Sequence, residues 1–435
     1  MKQNALLNNA KWMIACKAAQ SLLQLVIGLL CARYLGPSNY GLINYAKSLV
    51  ALVLPVMQLG MTSTLVHEFV NKPEKEGEIL GTALVMQLVS SLFCTLMVLS
   101  IVLMVNPGET ETIIVCILYS LSMFFQAAEI TQYWFHSKLM AKYPSIMLVV
   151  AYIAVSAYKV FLLVSKKNVY WFAIAQSIEY GVIAAGLFVC YNKFKSSKLT
   201  VSFSTAKDLF SRSKYYIIAS LMVVAFQNVD HIMLKTMMGD AENGFYSAAI
   251  TSSVVVQFVY YAIMDSARPV ILQCKKDSQE QFEKNMARLY SVIIYLALAQ
   301  SLIFTIFGKL IILILYGRQY VASVPVLQIL VWYLAFSYIG SIRNIWILAE
   351  EKHSRLWRIN LCGVLANVVL NAMFISRWGA CGAAAASLIT QFFTNVVVGF
   401  IMKDIRPNNR LMLKGLDPRF VIQTGRELWQ KRKFV

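Results

Sequence analysis

Twelve apolar runs, each about as long as a bilayer-crossing helix, follow one another along this 435-residue chain. They fall at about 12–35, 41–66, 79–105, 112–135, 144–164, 169–191, 214–238, 244–266, 287–308, 321–348, 356–376 and 379–402. Roughly 20 mostly apolar residues suffice to cross the hydrocarbon core. In that core every backbone N–H and C=O must be satisfied internally, which leaves helices or a closed barrel. The runs are long and do not alternate, so helices are expected. Composition agrees: 58% of residues are hydrophobic and 14% charged, with a mean hydropathy of +0.61. A soluble fold of that composition lacks the polar surface to cover its core. The fold class is an all-α polytopic membrane protein.

The formal net charge is +19. With the N-terminus placed in the cytoplasm, the inside segments hold 29 Lys and Arg and the outside loops five: Arg33, Lys166, Lys167, Arg318 and Arg377. That asymmetry puts both termini inside and supports an even span count. No basic block with interleaved aromatics forms a soluble patch, so nucleic acid is excluded as a partner. Lys2 and Lys11 precede a long apolar run without a small-residue cleavage site, which reads as a retained first span.

The chain has an internal echo. "ARYLGPSNYGLINYAKSLV" at Ala32–Val50 pairs with "KTMMGDAENGFYSAAITSS" at Lys235–Ser253, matching Gly36 with Gly239, Gly41 with Gly244 and Ala46 with Ala249. Each is the first outside turn of a six-span half. Both halves enter from the cytoplasm, so the repeat is parallel, about an axis along the membrane normal. Glycine suits the end of each first helix, where positive φ is often needed. The expected organisation is an N-terminal lobe at 1–191, a basic inter-lobe loop at 192–213, a C-terminal lobe at 214–403 and a basic tail at 404–435. Either a surface-lying segment drawn to anionic lipid or a solvated tail fits that last piece.

Six basic residues fall within spans: Lys17, Lys47, Lys159, Lys235, Lys309 and Arg343. Three acidic ones do: Glu129, Glu179 and Asp230. Each ion near the bilayer centre costs roughly 2.5–3.5 kcal/mol against lipid, so these groups should face the interior, pair, or line a watery cavity. Lys309 and Lys235 sit near span ends, where snorkelling competes with cavity lining. Lys17, Lys47, Lys159 and Arg343 lie deeper. The excess of basic over acidic groups points to an anion such as a phosphate or diphosphate. Asp230 lies beside His231, where a protonatable spot and an ordinary polar contact both remain open. Amides within the spans, among them Gln20, Gln126, Gln132, Asn344, Asn367 and Asn371, suit sugar hydroxyls or helix–helix glue equally.

Enzyme signatures are missing: there is no Walker A loop, Gly-x-Ser-x-Gly or His-x-x-x-His pair. None of the eight cysteines forms Cys-x-x-Cys or a metal-ligand cluster, so no metal or cofactor is expected. Outside loops are too short for a catalytic domain.

Two stretches carry a resemblance. "ARYLGPSNYGLINYAKSLV" is similar to the first-turn signature of the Wzx-type O-antigen and polysaccharide flippases. "LILYGRQYVASVPVLQILVWYLAF" at Leu313–Phe336 resembles the same family's Tyr/Phe-Gly-x-x-Tyr turn. Both motifs mark the wider multidrug/oligosaccharidyl-lipid/polysaccharide exporter superfamily. The resemblance implies a MATE-like fold of two six-helix lobes in a bacterial cytoplasmic membrane. It implies alternating-access transfer of an undecaprenyl-diphosphate-linked O-antigen, capsular or exopolysaccharide unit from inner to outer leaflet. A cationic lumen is a family trait, and Lys17, Lys47, Lys159, Arg343 and Lys235 are the candidates for it. Glu129, Glu179 and Asp230 are the candidates for counter-charge or for coupling to H+ or Na+. Partners implied are membrane lipids and the glycan pathway's polymerase and chain-length regulators. A multidrug cation antiporter, a lipid II flippase and, more remotely, a membrane glycan polymerase remain as alternatives.

Overall fold

A computed structural model describes residues 2–194, 197–352, 356–420 and 422–423, with the side chains of 2–19, 22, 63 and 356 outside the description. Among the described residues the chain is helical and has no strand. In order, the helices are α1 (Lys2–Met57), α2 (Leu65–Asn71), α3 (Glu76–Val105), α4 (Thr110–Ser120), α5 (Ser122–Gln126), α6 (Thr131–Ser137), α7 (Lys142–Val164) and α8 (Val169–Phe194). They continue as α9 (Phe203–Met238), α10 (Asp240–Ser253), α11 (Gln257–Asp277), α12 (Gln279–Leu315), α13 (Ser323–Ala349), α14 (Leu356–Phe392), α15 (Val398–Ile401) and α16 (Arg406–Lys414). The described residues contain ten helical stretches long and apolar enough to cross a membrane. The protein is a multi-pass membrane protein.

Two of those stretches bend sharply where the sequence suggests a break between spans. In α1 the bend is Gly36 (φ 73°, ψ 173°), and in α14 it is Gly379 (φ 54°, ψ −132°). Gly239 (φ 93°, ψ −179°) makes the corresponding corner between α9 and α10, and Gly317 (φ 87°, ψ 179°) the one after α12. Positive φ with ψ near 180° is open essentially to glycine alone. The two echoed glycines thus share one conformation, as the echo predicts. The expected gap at 36–40 shrinks to one residue because Pro37 has no N–H to satisfy and its φ is already helical.

Contacts divide the chain into two units, Met1–Thr236 and Met237–Val435. In the first, one cluster gathers Tyr45, Leu49, Cys94, Met123 and Leu162, and a second gathers Phe69, Leu80, Trp134, Phe135 and Tyr191. The opposite face of α3 leaves Val89, Phe93, Leu96 and Met104 exposed. A water-soluble helix would not carry such an unbroken apolar face outward, whereas a lipid-facing one should.

Helix α9 starts at Phe203, eleven residues before its apolar run, so much of the expected inter-lobe loop is helix. Two features hold this extension within the first unit. Residues 197–202 lie on α3 at a Gly-x-x-x-Gly step, where the Thr200 N–H donates to Gly77 O (3.3 Å) and the Ser202 N–H to Thr82 Oγ1 (3.0 Å). A Cβ on Gly77 would stand 2.2 Å from Lys198 O, and one on Gly81 2.4 Å from Thr200 O. The second feature is a ring of four charges. Lys72 meets Glu68 (3.0 Å) and Asp208 (3.2 Å), and Arg212 meets Glu68 (3.2 Å) and Asp208 (2.9 Å). The Glu68 carboxylate, then that of Asp208, holds the Lys72 ammonium above its ordinary pKa.

The second unit packs Tyr260, Phe282, Tyr290, Tyr338 and Trp346 in its core, with Leu411 and Met412 of α16 among them. The Tyr290 hydroxyl donates to Asn408 Oδ1 (2.9 Å), and Asn409 Nδ2 donates to Val396 O (2.7 Å). The beginning of the tail is therefore docked structure, while 424–435 lie outside the described residues.

Candidate functional site

Three charged candidates from three helices of the first unit come together: Lys47 of α1, Lys159 of α7 and Glu179 of α8. Both lysines act electrostatically on the Glu179 carboxylate, and on one another. Their depth follows from helical rise. The Tyr34 hydroxyl donates to Lys167 O (3.0 Å), so the Gly36 corner and the turn before α8 lie side by side. Lys47 is eleven residues past Gly36 and Glu179 ten past Val169, which places each about 15–16 Å from that end at 1.5 Å per residue. That is about half of a 30 Å hydrocarbon core. Lys159 is five residues from the end of α7, about 8 Å in.

Accessibility gives the cluster a direction. Glu179 is 6% exposed, whereas Lys47 has an exposed side chain although it sits mid-span. An accessible lysine thus lies within electrostatic reach of a buried carboxylate. A charge at that depth facing hydrocarbon would be costly, so a water-filled recess is the reading that fits its exposure.

A belt of neutral polar groups surrounds the charges. The Tyr152 hydroxyl lies beside the Glu179 carboxylate and the Gln20 amide. The Tyr119 hydroxyl donates to Gln176 Oε1 (3.2 Å), and Gln126 Nε2 donates to the Tyr180 hydroxyl (3.1 Å). Glu129, in the short turn between α5 and α6, lies beside Gln132 and within electrostatic reach of Glu179. Tyr119, Tyr152 and Tyr180 are the members that sequence reasoning missed. Their signal was tyrosine recurring inside otherwise apolar spans, which alone does not separate a polar belt from core packing.

The other candidates lie elsewhere. The Lys17 side chain is outside the described residues. Asp230 is buried on α9. Lys235, 4% exposed, is paired with Glu109 at 2.6 Å, near the Gly36 end. Glu109 also accepts from Asn106 Nδ2 (3.2 Å) and Thr112 Oγ1 (2.7 Å), and Asn106 Oδ1 accepts from the Tyr45 hydroxyl (2.7 Å). The bond from Lys235, foremost, holds the Glu109 carboxyl below its usual range. Arg343 belongs to the second unit and is 4% exposed. Its Nη1 donates to Thr394 O (2.7 Å) in a π-helical turn after α14, and its Nη2 to Asn344 Oδ1 (3.3 Å). Two of the expected amides act as glue: Asn371 Nδ2 donates to Asn367 Oδ1 (3.0 Å), and Asn367 Nδ2 to Ser387 Oγ (3.3 Å). No group of three or more His, Cys, Asp or Glu among the described residues is placed to hold a metal.

Residues 6–275 match the family described as "Polysaccharide biosynthesis protein". The chain is 20% identical over 417 residues to the capsular polysaccharide biosynthesis protein CapF of Staphylococcus aureus, covering 92% of this chain and 100% of that one. It is 23% identical over 229 residues to the probable low-salt glycan biosynthesis flippase Agl15 of Haloferax volcanii, covering 52% of this chain and 48% of that one. Among solved structures, the lipid II flippase MurJ in an inward closed conformation is similar at TM-score 0.70 and 16% identity, over 95% of this chain and 92% of that one. An inward-facing multidrug resistance MATE family transporter is similar at TM-score 0.69 and 13% identity, over 91% and 96%. At these identities the two structures establish the fold.

Proposed function

The chain belongs to the polysaccharide biosynthesis protein family, and from that premise we propose that it carries a polyprenyl-diphosphate-linked oligosaccharide from the inner to the outer leaflet. The observation that supports this most directly is the convergence of Lys47 and Lys159 on the buried Glu179, with Lys47 still accessible at mid-span. A diphosphate placed against Lys47 and Lys159 is attracted by both ammonium groups. Opposite charges a few ångströms apart, away from bulk water, attract by about 4 kcal/mol at an effective dielectric of 20. The loss of each lysine should therefore be felt. The polyprenyl tail stays in lipid, and the tyrosine and amide belt offers donors and acceptors to sugar hydroxyls. Glu179, with Glu129 beside it, is the group we assign to coupling with H+ or Na+, since a carboxylate displaced from its lysines gains affinity for a cation. The protein is a transporter rather than an enzyme. A multidrug cation antiporter would want an acidic recess, and two lysines around one buried carboxylate weigh against it.

The test is complementation of a bacterial strain lacking its glycan-unit flippase, read as surface glycan, with membrane abundance measured in parallel. Lys47→Ala and Lys159→Ala should each lower export by about tenfold or more at unchanged abundance, a loss of at least 1.4 kcal/mol. Lys47→Arg should keep most of it. Full export by both alanine variants would remove the cationic site from the mechanism.

A further inference from the structure

The second unit holds a cavity of about 430 Å³ that the transport reading does not use. It lies at the end of the unit opposite Gly317. Its walls are the turn between α11 and α12, the end of α13, and α16. Lys275, Lys352, Arg410 and Lys414 line it, together with Glu283 and Glu350. We propose that this cavity binds the phosphate of an acidic phospholipid headgroup.

Four cations face two carboxylates, and the pairing among them leaves positive charge over. Lys275 is engaged by Glu350 and Gln279. Lys414 reaches Glu283 only at 3.8 Å, with both side chains largely in solvent, so that contact is loose and easily exchanged. Lys352 lies 4.8 Å from the centre of the Trp346 ring and donates one hydrogen bond to the Asp404 backbone carbonyl (3.0 Å), a neutral acceptor that leaves its charge uncompensated. Arg410 has no ion-pair or hydrogen-bond partner among the described residues, and its guanidinium is exposed. A planar fork of donors is well matched to two phosphate oxygens.

The cavity is also a built one. Asn408 and Asn409 are buried and tied to Tyr290 and Val396, and Leu411 and Met412 are sunk in the core. These anchors fix the rotation of α16, so Arg410 and Lys414, one turn apart, stay on the cavity side. The volume lies within the range of small-molecule sites and accommodates a phosphate with its glycerol. The position matters as much as the charge. The Lys/Arg asymmetry of the sequence assigns this end to the cytoplasm, at the level where anionic inner-leaflet headgroups lie, and basic pockets at that level recognise them. A lipid phosphate can enter from the side while its acyl chains remain in the bilayer.

The test uses the purified full chain and does not depend on transport. Native mass spectrometry from detergent counts retained dioleoylphosphatidylglycerol against dioleoylphosphatidylcholine, with inorganic phosphate as a separate arm. The Arg410→Ala/Lys414→Ala pair is compared with Arg318→Gln/Arg377→Gln, which removes two exposed charges at the other end. Thermal unfolding checks that both fold. The wild type should retain phosphatidylglycerol preferentially, the Arg410/Lys414 variant should bind it at least about tenfold more weakly, and the control should match wild type. Binding of inorganic phosphate without phosphatidylglycerol preference would keep the phosphate site but overturn its lipid source. Equal retention by wild type and the Arg410/Lys414 variant, with no phosphate binding, would overturn the site altogether.

Discussion

Replacing Glu109 by Gln should strand the Lys235 ammonium, and the structure sets the size of the effect. Lys235 is 4% exposed and Glu109 45%, at 2.6 Å. Removing one partner of a fully buried pair costs about 3–5 kcal/mol, whereas an exposed pair contributes about 0–1 kcal/mol. With one partner buried and the other almost half in solvent, an intermediate loss of about 2 kcal/mol is expected. The one carbonyl oxygen of glutamine can still accept from Lys235 and Thr112, which share Oε2, but its NH2 then faces the Asn106 amide, so one hydrogen bond is lost along with the charge. The assay is a double-mutant cycle of Glu109→Gln with Lys235→Met, read by unfolding of the purified protein in mixed detergent. Glu109→Gln should cost about 2 kcal/mol alone and about 1 kcal/mol or less in the Lys235→Met background, where only the Asn106 hydrogen bond is lost. The pH dependence has a definite sign. The folded carboxyl titrates below its ordinary 4.5, so its contribution is present above about pH 4.5 and fades as pH falls through the depressed folded value. Equal costs of Glu109→Gln in both backgrounds would refute the ion pair as the reason Lys235 is tolerated at that depth.

Two further outcomes follow from the same geometry. Gly239→Ala should destabilise by about 1–3 kcal/mol although its Cβ would meet nothing within 4 Å, because the cost lies in the backbone at φ 93°; Gly28→Ala, equally unobstructed and helical, should be neutral or stabilising by up to about 1 kcal/mol, both read by unfolding in detergent. Arg343→Met fills the guanidinium's space without its buried charge and should lose no more than about 2 kcal/mol, while Arg343→Ala leaves a cavity and should lose about 3–5 kcal/mol; export should follow those losses, and abolished export by Arg343→Met at normal abundance would support a direct role for Arg343 at an anion site.

The sequence by itself determined the solvent and much of the path. Runs of about 20 apolar residues leave lipid as the medium and the helix as the backbone solution, because unsatisfied peptide groups are too costly in hydrocarbon. The echo around Gly36 and Gly239 carried its conformation within it, since the backbone there is open only to a residue without Cβ. The list of charges inside the spans was also legible, because their cost in lipid is independent of fold. Which of them meet was not. Lys47, Lys159 and Glu179 are separated by more than a hundred residues end to end, and their convergence depends on how α1, α7 and α8 rotate about their axes. Lys235 was legible as a charge near a span end, where snorkelling competes with cavity lining, but its partner Glu109, in a turn 126 residues away, was not. Arg343 read as a mid-span charge like the lysines, yet its acceptor is a backbone carbonyl that a π-helical turn presents to it. Side-chain direction and tertiary partners, which no linear spacing encodes, decided which of the charges within the spans lie near one another and which are held by a hydrogen-bond or ion-pair partner.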